Sequence, residues 1–227
     1  MMNALSLYSE KDQKRITTII AEAEKQTSGE IVPVVATRSG RYDRSEDCVG
    51  VILACIAMAG VVIALGYSNA LGGAGWGQSG ATYLWAAVAV AALLIAFSLG
   101  AIVASRFPSI ALPFISSAEM TAEVERAARE QFQRLRIRST GGATGVLIYI
   151  SLLERQVHVL GDDAISEKLS QADWDAVRDT IVQGMRSKAP VAALEAGIHA
   201  SGNLLRRHFP AEPNNMNELR NELHLIP

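Results

Sequence analysis

The chain has 227 residues, a formal net charge of −2 and a pI near 6.1, so nucleic acid is not expected as its main partner. This near-balance hides a segregation: between Asp47 and Arg106 there is no Asp, Glu, Lys or Arg, and the rest of the chain carries all 21 basic and 23 acidic side chains. A buried helix of a soluble protein usually keeps a polar face, and this stretch offers none, which argues against a soluble core.

In chain order, Ser9, Glu10, Lys11 and Asp12 form a capping-box pattern. They precede Ile16, Ile19, Ile20 and Ala23 at helical spacing, and Gly29 should end that helix. Glu30 to Thr37 reads as a strand, with Pro33 pointing to an edge or bulged position. One helix and one strand cannot bury each other's apolar faces, so their partners must lie beyond the uncharged stretch.

That stretch divides in two. Cys48–Tyr67 and Leu84–Ala104 are each about 20 residues, roughly 30 Å as a helix, which matches the hydrocarbon thickness of a bilayer. The expectation is a two-span membrane hairpin, residues 48–105, with a glycine-rich link at 68–83. Tyr67, Trp76, Tyr83 and Trp85 gather near the link, as an interfacial aromatic belt would. Arg38, Arg41 and Arg44 precede the first span and Arg106 closes the second. The positive-inside rule then puts the hairpin tip outside and both polar parts, with both termini, in the cytoplasm. The first 47 residues show no signal-peptide pattern.

Cys48 and Cys55 share a helical face of the first span and read as packing residues or free thiols. Ala96, Gly100 and Ala104 make a stripe of small residues that would let the two spans approach closely, or would meet another membrane protein. Neither span carries a charged residue to mark a transport pathway.

Phe107 to Ile115, broken by Pro108 and Pro113, reads as a surface-lying connector. Ser116 and Glu119 form a second capping box, ahead of Met120, Val124, Ala127, Ala128, Phe132 and Leu135 on one helical face. A turn at Thr140 to Thr144 leads to a continuous apolar strand, Gly145 to Leu152, expected to be buried on both faces. A tight turn near Leu153-Glu154 returns the chain as Arg155–Leu160. Two helices follow, marked by Trp174, Val177, Ile181 and Met185, then by Val191, Leu194, Ile198, Leu205 and Phe209. The fold class expected is α/β: a small mixed sheet of three or four strands sandwiched by helices and interrupted by the hairpin. Residues 1–47 and 106–209 would form one discontinuous domain. The polar tail, 210–227, has Leu219, Leu223 and Ile226 as handles for partial docking.

Several residues bear on chemistry. Asp162 and Asp163 place adjacent carboxylates after a strand, where Ca²⁺ or Mg²⁺ could take oxygen ligands, and Glu30 could join them. The alternative is that one of the two caps a short helix beginning at Ala164. His158 lies on a pleated strand, and His199 and His208 are nine apart, so no zinc-hydrolase spacing is present. Gly75-Trp76-Gly77-Gln78-Ser79-Gly80 matches G-x-G-x-x-G but joins two apolar segments, which is the wrong setting for a dinucleotide loop. Arg126, Arg129, Arg134, Arg136 and Arg138 could face lipid headgroups or form a solvated helix face with Glu125 and Glu130.

Taken together, TSGEIVPVVA at 27–36, GVLIYISLLERQVHVLGDDAI at 145–165 and HFPAEPNNMNEL at 208–219 resemble the TPM-domain (TPM phosphatase) family. The resemblance is to its membrane-embedded bacterial branch, in which a two-span hairpin interrupts the domain after the first strand. Where the commoner pattern has Asn-Gly and Asp-Arg, this chain has Thr144-Gly145 and Glu154-Arg155. The resemblance implies a compact α/β sandwich, in some members binding a divalent cation, and association with membranes. It implies either a non-enzymatic interaction or assembly module at the inner membrane, partnered by the bilayer and another membrane protein, or a divalent-cation-dependent acid phosphatase.

Overall fold

The computed structural model describes residues 3–70, 79–140, 142–211 and 217–227. In chain order the helices and strands are α1 (Ala4–Leu7), α2 (Glu10–Glu24), β1 (Glu30–Ala36), α3 (Asp43–Ala70), α4 (Ser79–Arg106) and α5 (Pro108–Ala111). After these come α6 (Ser117–Arg134), β2 (Gly145–Ser151), β3 (Gln156–Gly161), α7 (Asp163–Lys168), α8 (Gln171–Arg186), α9 (Pro190–His208) and β4 (His224–Ile226). Short 3-10 turns occur at Leu112–Phe114 and Ile137–Ser139. The chain forms two compact units: Arg41–Ser117, and Met2–Gly40 together with Ala118–Pro227.

The second unit holds a mixed sheet in the order β3-β2-β1-β4, with β1 parallel to both β2 and β4 and β3 antiparallel to β2. Every residue of β1 and β2 is buried, as continuous apolar runs require of strands covered on both faces. One face presents Ile31, Val35, Val146, Ile148 and Ile150 to α2, α8 and α9, whose Ile16, Ile20, Trp174, Ile181, Leu194 and Ile198 complete that core. The other presents Val32, Val34, Leu147 and Tyr149 to Val124 and Ala128 of α6 and to Ile137. The fold is a mixed α/β sandwich, a four-stranded sheet flanked by helices.

Three local expectations change. Helix α2 begins with the capping box at Ser9 and Asp12, but it stops at Glu24, well before Gly29. Strand β1 is central and not at an edge. Glu30 N–H and Ala36 C=O bond toward β2, so by alternation residue 33 turns its backbone toward β4. Pairing with β4 starts only at Val34, so the missing N–H of Pro33 falls where no strand needs it. The tail supplies β4 itself, with Leu223 in one core and Leu219 and Ile226 against the other.

The first unit is built on α3 and α4. Gly50, early in α3, lies against Phe97 and Gly100, late in α4, so the two helices run antiparallel. A Cβ on Gly100 would stand 2.8 Å from Gly50 Cα, and Ala104 is fully buried. Gly100 of the small-residue stripe is therefore spent on the hairpin's own packing. Around that seam the helices are bare: Val51, Ile56, Val62, Ile63, Leu94, Leu99 and Ile102 are exposed, as are Cys48 and Cys55, both free. Asp43–Tyr67 and Tyr83–Arg106 are long and apolar enough to cross a membrane. Only 17% and 6% of their most apolar windows is buried, which is not how the core helix of a soluble protein sits. Tyr67 and Tyr83 are exposed, while Trp76 and most of the G-x-G-x-x-G run, 75–78, lie outside the described residues.

Replacing Gly100 by Val forces apart backbones already in contact, so we expect a loss of about 1–3 kcal/mol of hairpin stability. Gly66, whose added side chain would meet nothing within 4 Å, should accept Val without that loss. Thermal unfolding of the two variants in detergent checks the contrast.

Candidate functional site

Polar side chains gather at both ends of the sheet. At the carboxyl ends of β1 and β2, where open α/β sheets usually bind ligands, Glu154 is the centre. Its Oε1 accepts the N–H groups of Ser39 (3.0 Å) and Gly40 (3.2 Å), and its Oε2 accepts the Ser151 hydroxyl. Ser39 Oγ donates to Ser151 Oγ at 2.7 Å and lies 3.0 Å from the Tyr149 hydroxyl. Burial pushes the Tyr149 hydroxyl above its usual range, against the opposing effect of its hydrogen bond with Ser39. Both oxygens of Glu154 are partnered within the protein, so this network fastens the chain as it leaves β1. Removing it with Glu154→Ala leaves buried donors unpaired and should cost about 1–3 kcal/mol per stranded group. Faster proteolysis near Ser39–Arg41 and a lower unfolding midpoint than in Glu154→Gln would report that loss.

The opposite end differs. Glu30 opens β1, 4% exposed, and accepts the N–H of Glu218 through Oε1 at 3.2 Å. Glu24, 8% exposed at the end of α2, accepts the N–H of Ile31 at 2.8 Å and is hydrogen-bonded by Asn221. Asp162 is 2% exposed. Each of these acids keeps one buried oxygen with no protein partner: Glu24 Oε2, Glu30 Oε2 and Asp162 Oδ2. Burial pushes Glu24 up to about 8, helped by the negative field of Glu30 and opposed by the Ile31 and Asn221 bonds. Glu30 is raised in the same way, chiefly by burial. A protonated Glu24 gains a hydroxyl donor in place of a buried negative charge. The residue was missed in the sequence, although it continues the line Ile16, Ile20, Glu24 at steps of four along the buried face of α2. A carboxylate on an apolar stripe was the signal.

Asp162, Asp163 and Glu30 do not converge. Asp162 is the N-cap of α7, its Oδ1 accepting the Asp163 N–H at 2.8 Å. Asp163 is exposed and pairs with Arg138 at 2.6 Å. Glu30 stands on the same sheet face as Asp162, but Gly145 lies between them: it pairs with Glu30 across one ladder and accepts the Asp162 N–H across the other. The two acids are thus roughly 10 Å apart by strand spacing. Ile137 fills the space over Gly145, where any Cβ would overlap it. Among the described residues no group of three His, Cys, Asp or Glu is placed to hold a metal ion. The three acids therefore do not fit a single shared cation site.

Other expected candidates are committed elsewhere. Arg126 pairs with Glu123 and Arg129 with Glu125, which makes α6 a solvated, internally paired face at those positions. His158 is half-buried facing Glu125 and Arg129, and burial lowers its pKa. His199 and His208 both lie on α9 and belong to no metal-holding group among the described residues.

The class of protein this geometry defines is a helix-flanked, four-stranded mixed α/β sandwich with a long apolar helical hairpin between β1 and β2. Residues 108–204 match the family model of the TPM domain. The fold is shared with the NMR structure of BA42 protein from the psychrophilic bacterium Bizionia argentinensis, with a TM-score of 0.56 at 18% identity over 96% of this chain and 94% of that one. No curated protein matches the chain.

The raised acid at Glu24 has a signed consequence. Below about pH 4.5 it is neutral whether folded or unfolded. Between 4.5 and about 8 the unfolded chain ionises while the fold retains the proton, so stability falls as pH rises, and above 8 the fall from this group ends. Glu24→Gln should flatten this decline, measured as unfolding midpoint against pH beside the unaltered protein. Equal slopes would contradict it.

Proposed function

We propose that this protein is a membrane-anchored interaction or assembly module, its TPM domain held at the cytoplasmic face of a bacterial inner membrane by the α3–α4 hairpin. One observation carries the reading. Apart from Leu5, every strongly exposed large hydrophobic side chain among the described residues lies between Val51 and Phe114. A continuous apolar surface of that extent is uncommon in water and matches what a bilayer covers. Arg38, Arg41, Arg44 and Arg106 at the open end of the hairpin support a cytoplasmic placement of both termini. With the small-residue seam used internally, a partner membrane protein would meet the outer faces of α3 and α4, where Cys48 and Cys55 lie. The closed polar network around Glu154 leaves that end of the sheet without a free carboxylate for catalysis, since its side chains satisfy one another.

Orientation is tested with cysteines placed singly at Gly75 and Gln171 in a chain whose Cys48 and Cys55 are serine. A membrane-impermeant maleimide added to intact cells should label the cysteine at 75 and spare that at 171. The reverse pattern overturns the orientation.

A second reading, a divalent-cation-dependent acid phosphatase, is supported by the unpartnered Oδ2 of Asp162. It requires the Asp162 loop to bind a cation without Glu30's help. Purified protein with a chromogenic phosphomonoester should show no turnover above that of Asp162→Asn. Cation-dependent turnover lost in the variant would establish the phosphatase instead.

A further inference from the structure

The segment that follows the second span has apolar residues on two sides, and only one of them is covered. Helix α4 ends at Arg106, and Phe107 leaves helical geometry at φ −126° and ψ 75°. Pro108 then starts α5 afresh, as proline at a first helical position does. Within the same compact unit, α5 packs against both α3 and α4. Ala111 and Ile115, four apart, are buried. Phe107, Ile110 and Phe114 are 57%, 42% and 46% exposed. They continue the bare apolar surface of α4, where Leu99, Ile102 and Val103 are also exposed.

We infer that Phe107–Ile115 is an interfacial foot: it lies in the headgroup–acyl boundary of the leaflet that the second span has just left, with Phe107, Ile110 and Phe114 set into the lipid. The occupant of this surface is phospholipid. Three large apolar side chains directly beyond the last charged residue of a span sit at the depth where amphipathic segments bury their apolar face. The proline-reset turn redirects the chain where the hydrocarbon ends, and Arg106 at that bend can keep its charge among the headgroups. The foot fixes how deep the hairpin sits, because sinking would bury Arg106 and rising would strip lipid from the two phenylalanines. The inference rests on the membrane anchoring proposed above.

The test uses the full chain with Cys48 and Cys55 replaced by serine, carrying one cysteine in place of Ile110, Ile63 or Gln171 and labelled with an environment-sensitive fluorophore. Each is reconstituted into phosphatidylcholine–phosphatidylglycerol vesicles whose acyl chains are brominated near the headgroup or near the bilayer centre. At Ile110 the shallow bromines should quench about half the emission and more than the deep ones. At Ile63, exposed within the first span, lipid bromines should also quench, and at Gln171 neither set should act. If Ile63 is quenched while Ile110 behaves like Gln171, the foot is refuted and the anchoring stands. If Ile63 is not quenched, the anchoring is refuted and the foot with it.

Discussion

The parallel pairing of β1 with β2 is the constraint on which the rest depends. Seven residues of each strand pair in register, Glu30 with Gly145 through Ala36 with Ser151, and all are buried. Parallel neighbours need a crossover between them, and here that crossover contains the whole hairpin. The two helices must therefore give the chain back on the side from which they took it. Their antiparallel packing through Gly50 and Gly100 does so, since it brings the start of α3 beside the end of α4. The TPM match, 108–204, contains β2 and β3 but not β1, so the matched segment closes its sheet only with strand residues from before the hairpin.

A second consequence is the role of the C-terminal residues. Strand β1 has a second edge, and the chain covers it with β4. Where β4 stops short, Glu24 takes the Ile31 N–H that a longer strand would have taken. Glu30 receives the tail's backbone near Glu218. Two buried acids thus finish the edge that a three-residue strand leaves open. Holding them there shifts both toward the protonated state, because burial disfavours the charged form.

Much of this was legible beforehand, for physical reasons. An apolar run without alternation gave β2 as a doubly covered strand, and Glu30 to Thr37 was legible as a strand though not as a central one. Spacings of three and four gave α2, α6, α8 and α9, and the missing charge gave the hairpin. What could not be read depended on long-range pairing. Pro33 suggested an edge, since sequence cannot say which face of the backbone a neighbour will occupy. The tail offered apolar handles, but its three-residue strand gains its identity only from β1. Asp162 and Asp163 looked like a pair of ligands, yet one caps α7 and the other meets Arg138, a residue 25 positions away. Glu24 escaped notice because the stripe was read through its hydrophobic members alone.

The central claim is that α3 and α4 live in lipid, and alkaline carbonate extraction of isolated membranes tests it most directly. High pH strips proteins held by surface charge but leaves spanning helices in the bilayer. The account predicts that the protein stays in the membrane pellet and is released only by detergent. Its appearance in the carbonate supernatant would contradict the account.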